Sequence, residues 1–177
     1  AEVLAIVQEV FKRLDFEIEI EVSNRKLLNG LLEEAGVSPE YRSSAMISID
    51  KLKKIGVEEV NKELSSNGIL ADSAIKLFEI LKIKGTNAEK LNALSRLINS
   101  PIGKEGISEL QEMFEYLDSL GVKNVILNPA LARGLSYYTG PIYETFLKDS
   151  KITSSVVGGG RYDEYIGNFL GKKMQIP

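Results

Sequence analysis

Two stretches near the C-terminal end of this 177-residue chain hold the residues best suited to chemistry. The first runs from Leu131 to Gly140 and places Arg133 beside a glycine, followed by the adjacent pair Tyr137 and Tyr138. A guanidinium is permanently charged and offers a planar fork of donors that suits phosphate or carboxylate oxygens. A phenol hydroxyl both donates and accepts hydrogen bonds. This stretch therefore predicts a site for an anionic ligand that also forms hydrogen bonds.

The second stretch is Gly-Gly-Gly-Arg-Tyr-Asp at positions 158–163. Three glycines in succession are typical of a tight turn, which the spacing favours, or of a backbone that approaches a phosphate closely. The stretch forms neither a Walker A loop nor a complete dinucleotide-binding fingerprint. Tyr162 adds a further phenol, and Asp163 is placed to cap the helix that follows. We assign Arg161 a structural role.

The same residue types also have purely structural interpretations. An arginine at the start of a strand is commonly half of a surface ion pair, and tyrosines in a strand commonly pack in the core. Adjacent residues of a regular strand point to opposite faces, so Tyr137 and Tyr138 would lie on different sides of a sheet. Residue type alone therefore leaves both interpretations open.

The composition excludes several classes of site from this chain. It contains no cysteine and no histidine, which removes disulfides, Cys/His zinc centres, Ser-His-Asp triads and Cys-His dyads. The formal net charge is -3, so no overall basic field indicates a nucleic-acid partner. With 44% hydrophobic residues the chain can bury a core. We find no signal-peptide pattern and no apolar run of membrane-spanning length, and we expect a cytoplasmic protein.

The first two parts of the chain differ in their apolar periodicity. In residues 1–36 a helical stripe precedes strict alternation from Phe16 to Val22, which is typical of a half-buried strand whose glutamates face solvent. A second helix follows and ends at Gly36. Residues 37–121 carry one helical stripe after another, with a capping box at Thr86. The pattern predicts an inserted all-helical domain.

In the last part, residues 122–177, strand patterns return. Segments 122–127, 135–146 and 152–157 are rich in β-branched and aromatic residues. No helix separates the last two segments, so they favour an antiparallel pair. We therefore expect an α+β protein in which helices cover an antiparallel sheet.

Together, the two stretches resemble the signature motifs of the histidyl-tRNA synthetase family, Arg-Gly-Leu-Asp-Tyr-Tyr-Thr-Gly and Gly-Gly-Gly-Arg-Tyr-Asp. The run Ser-Asn-Arg-Lys-Leu-Leu at 23–28 also looks like the corner that precedes the helical insertion in that family. The resemblance implies an internal fragment of a class II synthetase, with 1–36 and 122–177 in the catalytic core. Ser136 departs from the family's aspartate, since it brings a hydroxyl without a negative charge.

The resemblance also implies roles for individual residues. Arg133 would be catalytic, reaching the ATP α-phosphate and the histidine carboxylate. The tyrosines would form the histidine pocket, with Tyr138 in direct contact, and the glycines would let the backbone close over the adenylate. The residues expected to bind histidine or adenylate are Arg133, Tyr137, Tyr138, Gly158, Gly159, Gly160 and Tyr162.

Partners follow from the same resemblance. The full-length enzyme would be a cytoplasmic homodimer that uses ATP with Mg²⁺, histidine and tRNA(His), without a membrane partner or a metal held by side chains of this chain. The fragment alone is expected to be inactive, because the three class-defining motifs and the anticodon-binding domain lie elsewhere. The alternative is a non-catalytic paralogue acting as a regulatory or RNA-sensing module. Within the helical insertion, whose polar faces otherwise suit solvent, the candidate tRNA phosphate contacts are Arg42, Lys51, Lys53 and Lys54.

Overall fold

The computed structural model describes residues 1–134, 137–172 and 174–175. The departure at Ser136 and the predicted strand start at 135 lie outside the described residues. Within them the chain forms eight helices and four strands. In chain order these are α1 (Glu2–Arg13), β1 (Ile18–Asn24), α2 (Arg25–Glu34), α3 (Pro39–Asp50), α4 (Leu52–Ser66), α5 (Ala71–Leu81), α6 (Asn87–Leu97), α7 (Pro101–Ser119), β2 (Val125–Leu127), β3 (Pro141–Leu147), β4 (Val157–Gly160) and α8 (Tyr165–Phe169).

The four strands form one sheet in the order β2-β1-β3-β4. Strands β1 and β3 pair antiparallel, as do β3 and β4, whereas β1 and β2 are parallel. The predicted α+β class is confirmed, and the sheet is mixed instead of wholly antiparallel. The parallel pair arises because helices α2 to α7 separate β1 from β2 and return the chain in the same direction.

Local sequence signals explain where several helices begin and end. The side chain of Asn24 accepts a hydrogen bond from the backbone N–H of Lys26 and starts α2 directly at the end of β1. Thr86 and Glu89 form the predicted capping box of α6. Gly36, at φ 79°, ends α2 in the left-handed conformation that glycine adopts most readily.

Helix α7 packs closely on α2 through small residues. A Cβ on Gly103 would lie 3.0 Å from the Cα of Gly30, and a Cβ on Gly106 would overlap the backbone of Leu27. Helix α7 also contacts β1, β3 and α1. The last helix of segment 37–121 is therefore packed on the sheet layer, while the domain division at 36 and 121 stays a prediction.

The expected solvent-exposed glutamate face of β1 is only partly exposed. The Glu21 side chain is 12% exposed, because Lys53 at the start of α4 forms an ion pair with it. Asn128 donates a second hydrogen bond to Glu21 at 2.7 Å. Alternation alone could not reveal this cover, which comes from residues distant in sequence. Among the described residues, no helix is both long and apolar enough to cross a lipid bilayer.

Replacing Gly106 by alanine should destabilise the protein. Alanine favours a helix by about 1 kcal/mol over glycine, but its Cβ would push α7 away from the backbone of Leu27. Overpacking of this kind costs about 1–3 kcal/mol. Chemical denaturation of the full-length protein measures the change, with Ser108→Ala on the exposed side of α7 as the matched control. An unchanged or raised midpoint for Gly106→Ala would contradict the close helix contact.

Candidate functional site

The glycine triplet forms an edge strand and not the predicted turn. Gly158, Gly159 and Gly160 belong to β4 and pair with Glu144, Tyr143 and Ile142 of β3, respectively. Of the predicted strand 152–157, only Val157 lies in β4, and residues 152–156 precede it. The prediction was wrong because glycine disfavours strands on propensity. Here the tertiary surroundings require residues without a side chain.

Each glycine faces a side chain of the candidate site. A Cβ on Gly158 would overlap the guanidinium of Arg133. A Cβ on Gly160 would lie 2.6 Å from the Tyr138 ring, and one on Gly159 would lie 2.8 Å from the Tyr143 ring. Since neighbouring strand residues face opposite sides, Arg133 and Tyr138 lie on one face of β4 and Tyr143 lies on the other. The bare strand therefore lets the two predicted motifs approach each other.

Arg133 is held by the sheet beneath it. Its Nη1 donates to the backbone oxygen of Tyr143 at 3.2 Å and lies 3.5 Å from a carboxylate oxygen of Glu144. The guanidinium carbon is 5.6 Å from the centre of the Tyr138 ring, within the range of a cation–π contact. Its Nε is buried and has no hydrogen-bond partner among the described residues. The side chain, 19% exposed, thus keeps unused donor capacity beside the tyrosines.

The backbone of Arg133 is also fixed. Its φ is 45°, a conformation that a side-chain-bearing residue adopts only when its surroundings enforce it. Arg25, the first residue of α2, donates through Nη1 to the carbonyl oxygens of Ala132 and Arg133 at 3.3 and 3.4 Å. Burial lowers the pKa of Arg25, and the nearby charge of Asp50 opposes that shift. The half-buried Arg25 therefore positions the start of the first motif.

Four tyrosine rings cluster at the end of β4. The ring centres of Tyr137 and Tyr138 are 4.6 Å apart, and Tyr137 also meets Tyr162 at 6.3 Å and Tyr165 at 5.1 Å. Tyr138 is 7% exposed, whereas Tyr137 is 37% and Tyr162 48% exposed. The contacts of Tyr137 with Tyr162 and Tyr165 are edge-to-face, which fixes these rings relative to one another. The prediction that the tyrosine pair lies in a strand is wrong for these two residues, which precede β3.

A cavity of about 860 Å³ joins most of the predicted site residues. Arg133 is not among its lining residues; its guanidinium lies behind Gly158 and beside Tyr138, both of which form the wall. Helices α1 and α7 close the opposite side with Leu4 and Met113. The predicted residues that line the cavity are Tyr137, Tyr138, Gly158, Gly159, Gly160 and Tyr162.

The electrostatics of the wall favour neutral phenols beside a fixed cation. Burial raises the pKa of Tyr138, a hydrogen bond with Tyr137 adds to the shift, and the charge of Arg133 opposes it. Burial also raises the pKa of Tyr143, again opposed by Arg133. Both hydroxyls therefore stay protonated near neutral pH and remain able to donate hydrogen bonds.

Asp163 was predicted to cap α8, and this prediction is wrong. Asp163 instead connects the two motifs. The N-cap of α8 is Glu164. Asp163 instead accepts hydrogen bonds from Thr139 Oγ1 and Arg161 Nε, both at 2.7 Å. Burial alone would raise the pKa of Asp163, but the bonds from Arg161 and Thr139, with the charge of Arg161, outweigh it and lower the pKa.

The predicted tRNA contacts are mostly engaged with carboxylates. Arg42 lies 3.2 Å from Glu33, Lys51 lies 2.9 Å from Glu63, and Lys53 is paired with Glu21. Lys53 also lies 4.5 Å from the centre of the Phe146 ring. Lys54 is exposed and has no carboxylate partner among the described residues. Of the four predicted contacts, three therefore have their positive charge balanced by a carboxylate within the described residues, and Lys54 does not.

No group of three or more acidic side chains converges in the described part of the chain.

Comparison with known proteins identifies the family. Residues 1–175 match the family described as Histidyl-tRNA synthetase. The chain is 43% identical to Histidine--tRNA ligase 1 of Bacillus cereus, with all of this chain and 41% of that protein aligned. The chain belongs to the histidyl-tRNA synthetase family. A histidine--tRNA ligase of Gloeobacter violaceus is 40% identical over 99% of the chain and 38% of its own length.

The fold agrees with that of this synthetase family. The crystal structure of histidyl-tRNA synthetase from Nostoc sp. matches with a TM-score of 0.90 and 34% identity, over 98% of this chain and 42% of that one. The chain therefore spans about two fifths of the length of the synthetases that it matches.

Several residues at the site escaped the sequence analysis. Tyr143 and Glu144 lie three and four residues after the first motif, and their place in a strand could have suggested them. Tyr165, two residues after the second motif, carries only the weak signal of a further aromatic residue. Arg25 and Glu109 are distant in sequence from both motifs, and only the folded structure brings them there.

Asp163→Asn should destabilise the protein in a pH-dependent way. Because the pKa of Asp163 is lowered by folding, its charge stabilises the folded state above the unfolded-state pKa near about 4. That contribution is lost as pH falls through the folded-state pKa. We expect the free energy of unfolding to fall by about 1.5–3 kcal/mol at pH 7. This difference from the parent should become smaller below about pH 4.

Thermal unfolding of the full-length protein between neutral and acidic pH tests this expectation. The matched control is Asp118→Asn, an exposed position on α7. A difference between Asp163→Asn and the parent that does not change with pH would show that the carboxylate charge is unimportant.

Proposed function

We propose that this chain forms the histidine-recognising part of a histidine--tRNA ligase. The full-length enzyme would join histidine to ATP as histidyl-adenylate, releasing pyrophosphate, and then transfer histidine to tRNA(His). The single observation that carries the proposal is the meeting of the two motifs. Gly158 and Gly160 lie directly against Arg133 and Tyr138, and the cavity is lined by the two glycines and Tyr138, with Arg133 behind them. Family membership supplies the reaction class.

Arg133 is the proposed catalytic residue. A histidine carboxylate oxygen would attack the α-phosphorus of ATP while the bond to the pyrophosphate leaving group breaks. Negative charge then develops on the phosphoryl oxygens. Tyr143 and Glu144 hold the Arg133 guanidinium without using its Nε, so a preorganised cation stands beside the cavity wall. Such a donor typically contributes about 3–4 kcal/mol to the transition state.

The tyrosines supply the proposed amino-acid specificity. A neutral imidazole presents one hydrogen-bond donor and one acceptor, and protonated phenols can satisfy either. Tyr138, buried and tied to Arg133, is the proposed direct contact, with Tyr137 and Tyr162 at the more open side. A ligand without ring nitrogens would leave these hydroxyls unpaired, which disfavours its binding strongly. The backbone of the glycine strand would lie along the adenylate.

Other properties of the full-length enzyme are also proposals. The family resemblance supports a class II enzyme, a homodimer and a cytoplasmic location. ATP would arrive with Mg²⁺, which lends positive charge to the phosphates, whereas this chain contributes the guanidinium and the phenols. Residues 1–36 and 122–177 would belong to the catalytic core and 37–121 to the helical insertion, with α7 packed on that core.

Histidine-dependent ATP–pyrophosphate exchange by the full-length protein tests the proposed activity. Arg133→Lys keeps the charge but loses the planar fork, and we expect kcat to fall by about 10²–10³. The control Arg13→Lys alters a surface arginine paired with Glu9 and should change nothing. Exchange that does not depend on histidine, or is absent from the parent, would favour the non-catalytic paralogue. A fully active Arg133→Lys would remove the catalytic role.

We place tRNA phosphate contacts on the start of α3 and the junction between α3 and α4. Arg42, Lys51 and Lys53 are already balanced by carboxylates, so a polyanion would have to exchange those partners. Lys54, exposed at the start of α4, is the member best placed to meet a phosphate directly.

Neutralising this cluster should flatten the salt dependence of tRNA binding. The slope of log Kd against log salt should fall by about one for each phosphate that the protein no longer neutralises. We expect Lys54→Gln to account for more of the fall than Lys51→Gln, and Lys82→Gln, on an exposed part of the same helical segment, to serve as the control. Titration of the full-length protein with tRNA at several salt concentrations measures the slope. An unchanged slope in the quadruple variant would refute the proposed phosphate-binding role.

A further inference from the structure

Glu109 of α7 lies where four parts of the chain meet. Its carboxylate accepts a hydrogen bond from the Asn24 side chain at 2.6 Å and one from Lys26 Nζ at 2.7 Å. Its Oε1 is also 3.6 Å from Nη1 of Arg161, in the second motif. Gly140, the last residue of the first motif, is close enough that a Cβ there would lie 3.5 Å from Oε2. One carboxylate thus connects the end of β1, the start of α2 and both motifs.

From Glu109 the network continues to the tyrosine pocket. The side chain of Arg161 donates a hydrogen bond to the Asp163 carboxylate, which also accepts a hydrogen bond from the hydroxyl of Thr139. The backbone of Arg161 accepts the N–H of Thr139 and donates to the carbonyl of Pro141, both at 2.9 Å. Thr139 follows Tyr138 directly, and Arg161 lies between Gly160 and Tyr162 in sequence. A short chain of hydrogen bonds and ion pairs therefore connects Glu109 to the backbone next to Tyr138 and Tyr162.

The Lys26–Glu109 pair is less exposed than an ordinary surface ion pair, whereas the Arg161 side chain is 44% exposed. The side chains of Glu109 and Lys26 are both 19% exposed, so solvent screens their attraction less than that of an exposed pair. Lys26 also binds Glu105 at 2.6 Å, and Asn24 caps α2. Loss of the Glu109 charge would leave Lys26 paired with Glu105 and Arg161 paired with Asp163, but would remove the carboxylate that joins these two pairs.

We infer that Glu109 is a positioning residue for the histidine pocket, acting through Arg161 and Thr139 on Tyr162 and Tyr138. Glu109 is itself one of the residues that line the cavity, and its proposed effect is to set the distance between the two motifs. This inference rests on the proposed function of the same site. It predicts that a change on α7 alters histidine recognition more than ATP recognition, because the network ends at the tyrosines while Arg133 is held separately by β3.

The test uses Glu109→Gln, which keeps the shape and removes the charge, in the full-length protein. We expect the histidine KM in ATP–pyrophosphate exchange to rise by about tenfold, with the ATP KM within about twofold. The matched control is Glu115→Gln, at an exposed position further along α7. A merely structural role would lower the amount of active enzyme and leave both KM values unchanged, and that result would overturn the inference.

A second variant makes the test independent of how well Glu109→Gln folds. Arg161→Gln should raise the histidine KM in the same direction, and the double variant should be no worse than the poorer single variant, because both act through one network. If the fold-increases in histidine KM of the two single variants simply multiplied in the double variant, the inference would be overturned. The parent enzyme, measured in parallel, separates the two claims: no histidine-dependent exchange in the parent rejects the proposed function, whereas exchange with an unchanged KM in both variants rejects only the role of Glu109.

Discussion

The site depends on a strand, β4, whose last three residues are glycines. Pairing of β4 with β3 brings the backbone of Gly158 and Gly160 against the guanidinium of Arg133 and the ring of Tyr138. Any Cβ at these positions would occupy the space that those groups fill, so the closeness of the two motifs requires glycine. Glycine is otherwise a poor strand former, and the cost is offset by hydrogen bonds to β3 and by the packing of the rings.

The rest of the fold serves to hold this arrangement from both sides. Arg25, at the first position of α2, fixes the backbone that carries Arg133, while Glu144 and the carbonyl of Tyr143 fix its side chain. Helix α7 packs closely on α2 through glycine residues, and this packing places Glu109 beside Arg161 of the second motif. The helical segment between β1 and β2 is thus connected to the site through its last helix. This arrangement gives a physical route by which a change on α7 reaches the tyrosines.

The main electrostatic feature of the site is the Arg133 guanidinium, which has only some of its hydrogen-bond donors paired. Its charge is balanced at the sheet by Glu144, yet the buried Nε has no partner within the described residues. An unmet buried donor is costly in a folded protein, and this one lies behind the part of the cavity wall formed by Gly158 and Tyr138. The same cation opposes the rise that burial causes in the pKa of Tyr138 and Tyr143.

The sequence by itself determined the local elements and the family. Capping residues at Asn24 and Thr86 and the apolar stripe of α2 are short-range signals that the structure follows. The two motifs were also recognisable from their residues alone. Tertiary structure decided the rest: that 158–160 is a strand, that β1 and β2 run parallel, that Lys53 covers Glu21, and that Glu109 reaches Arg161. These features depend on interactions between residues distant in the chain, which neither periodicity nor propensity records.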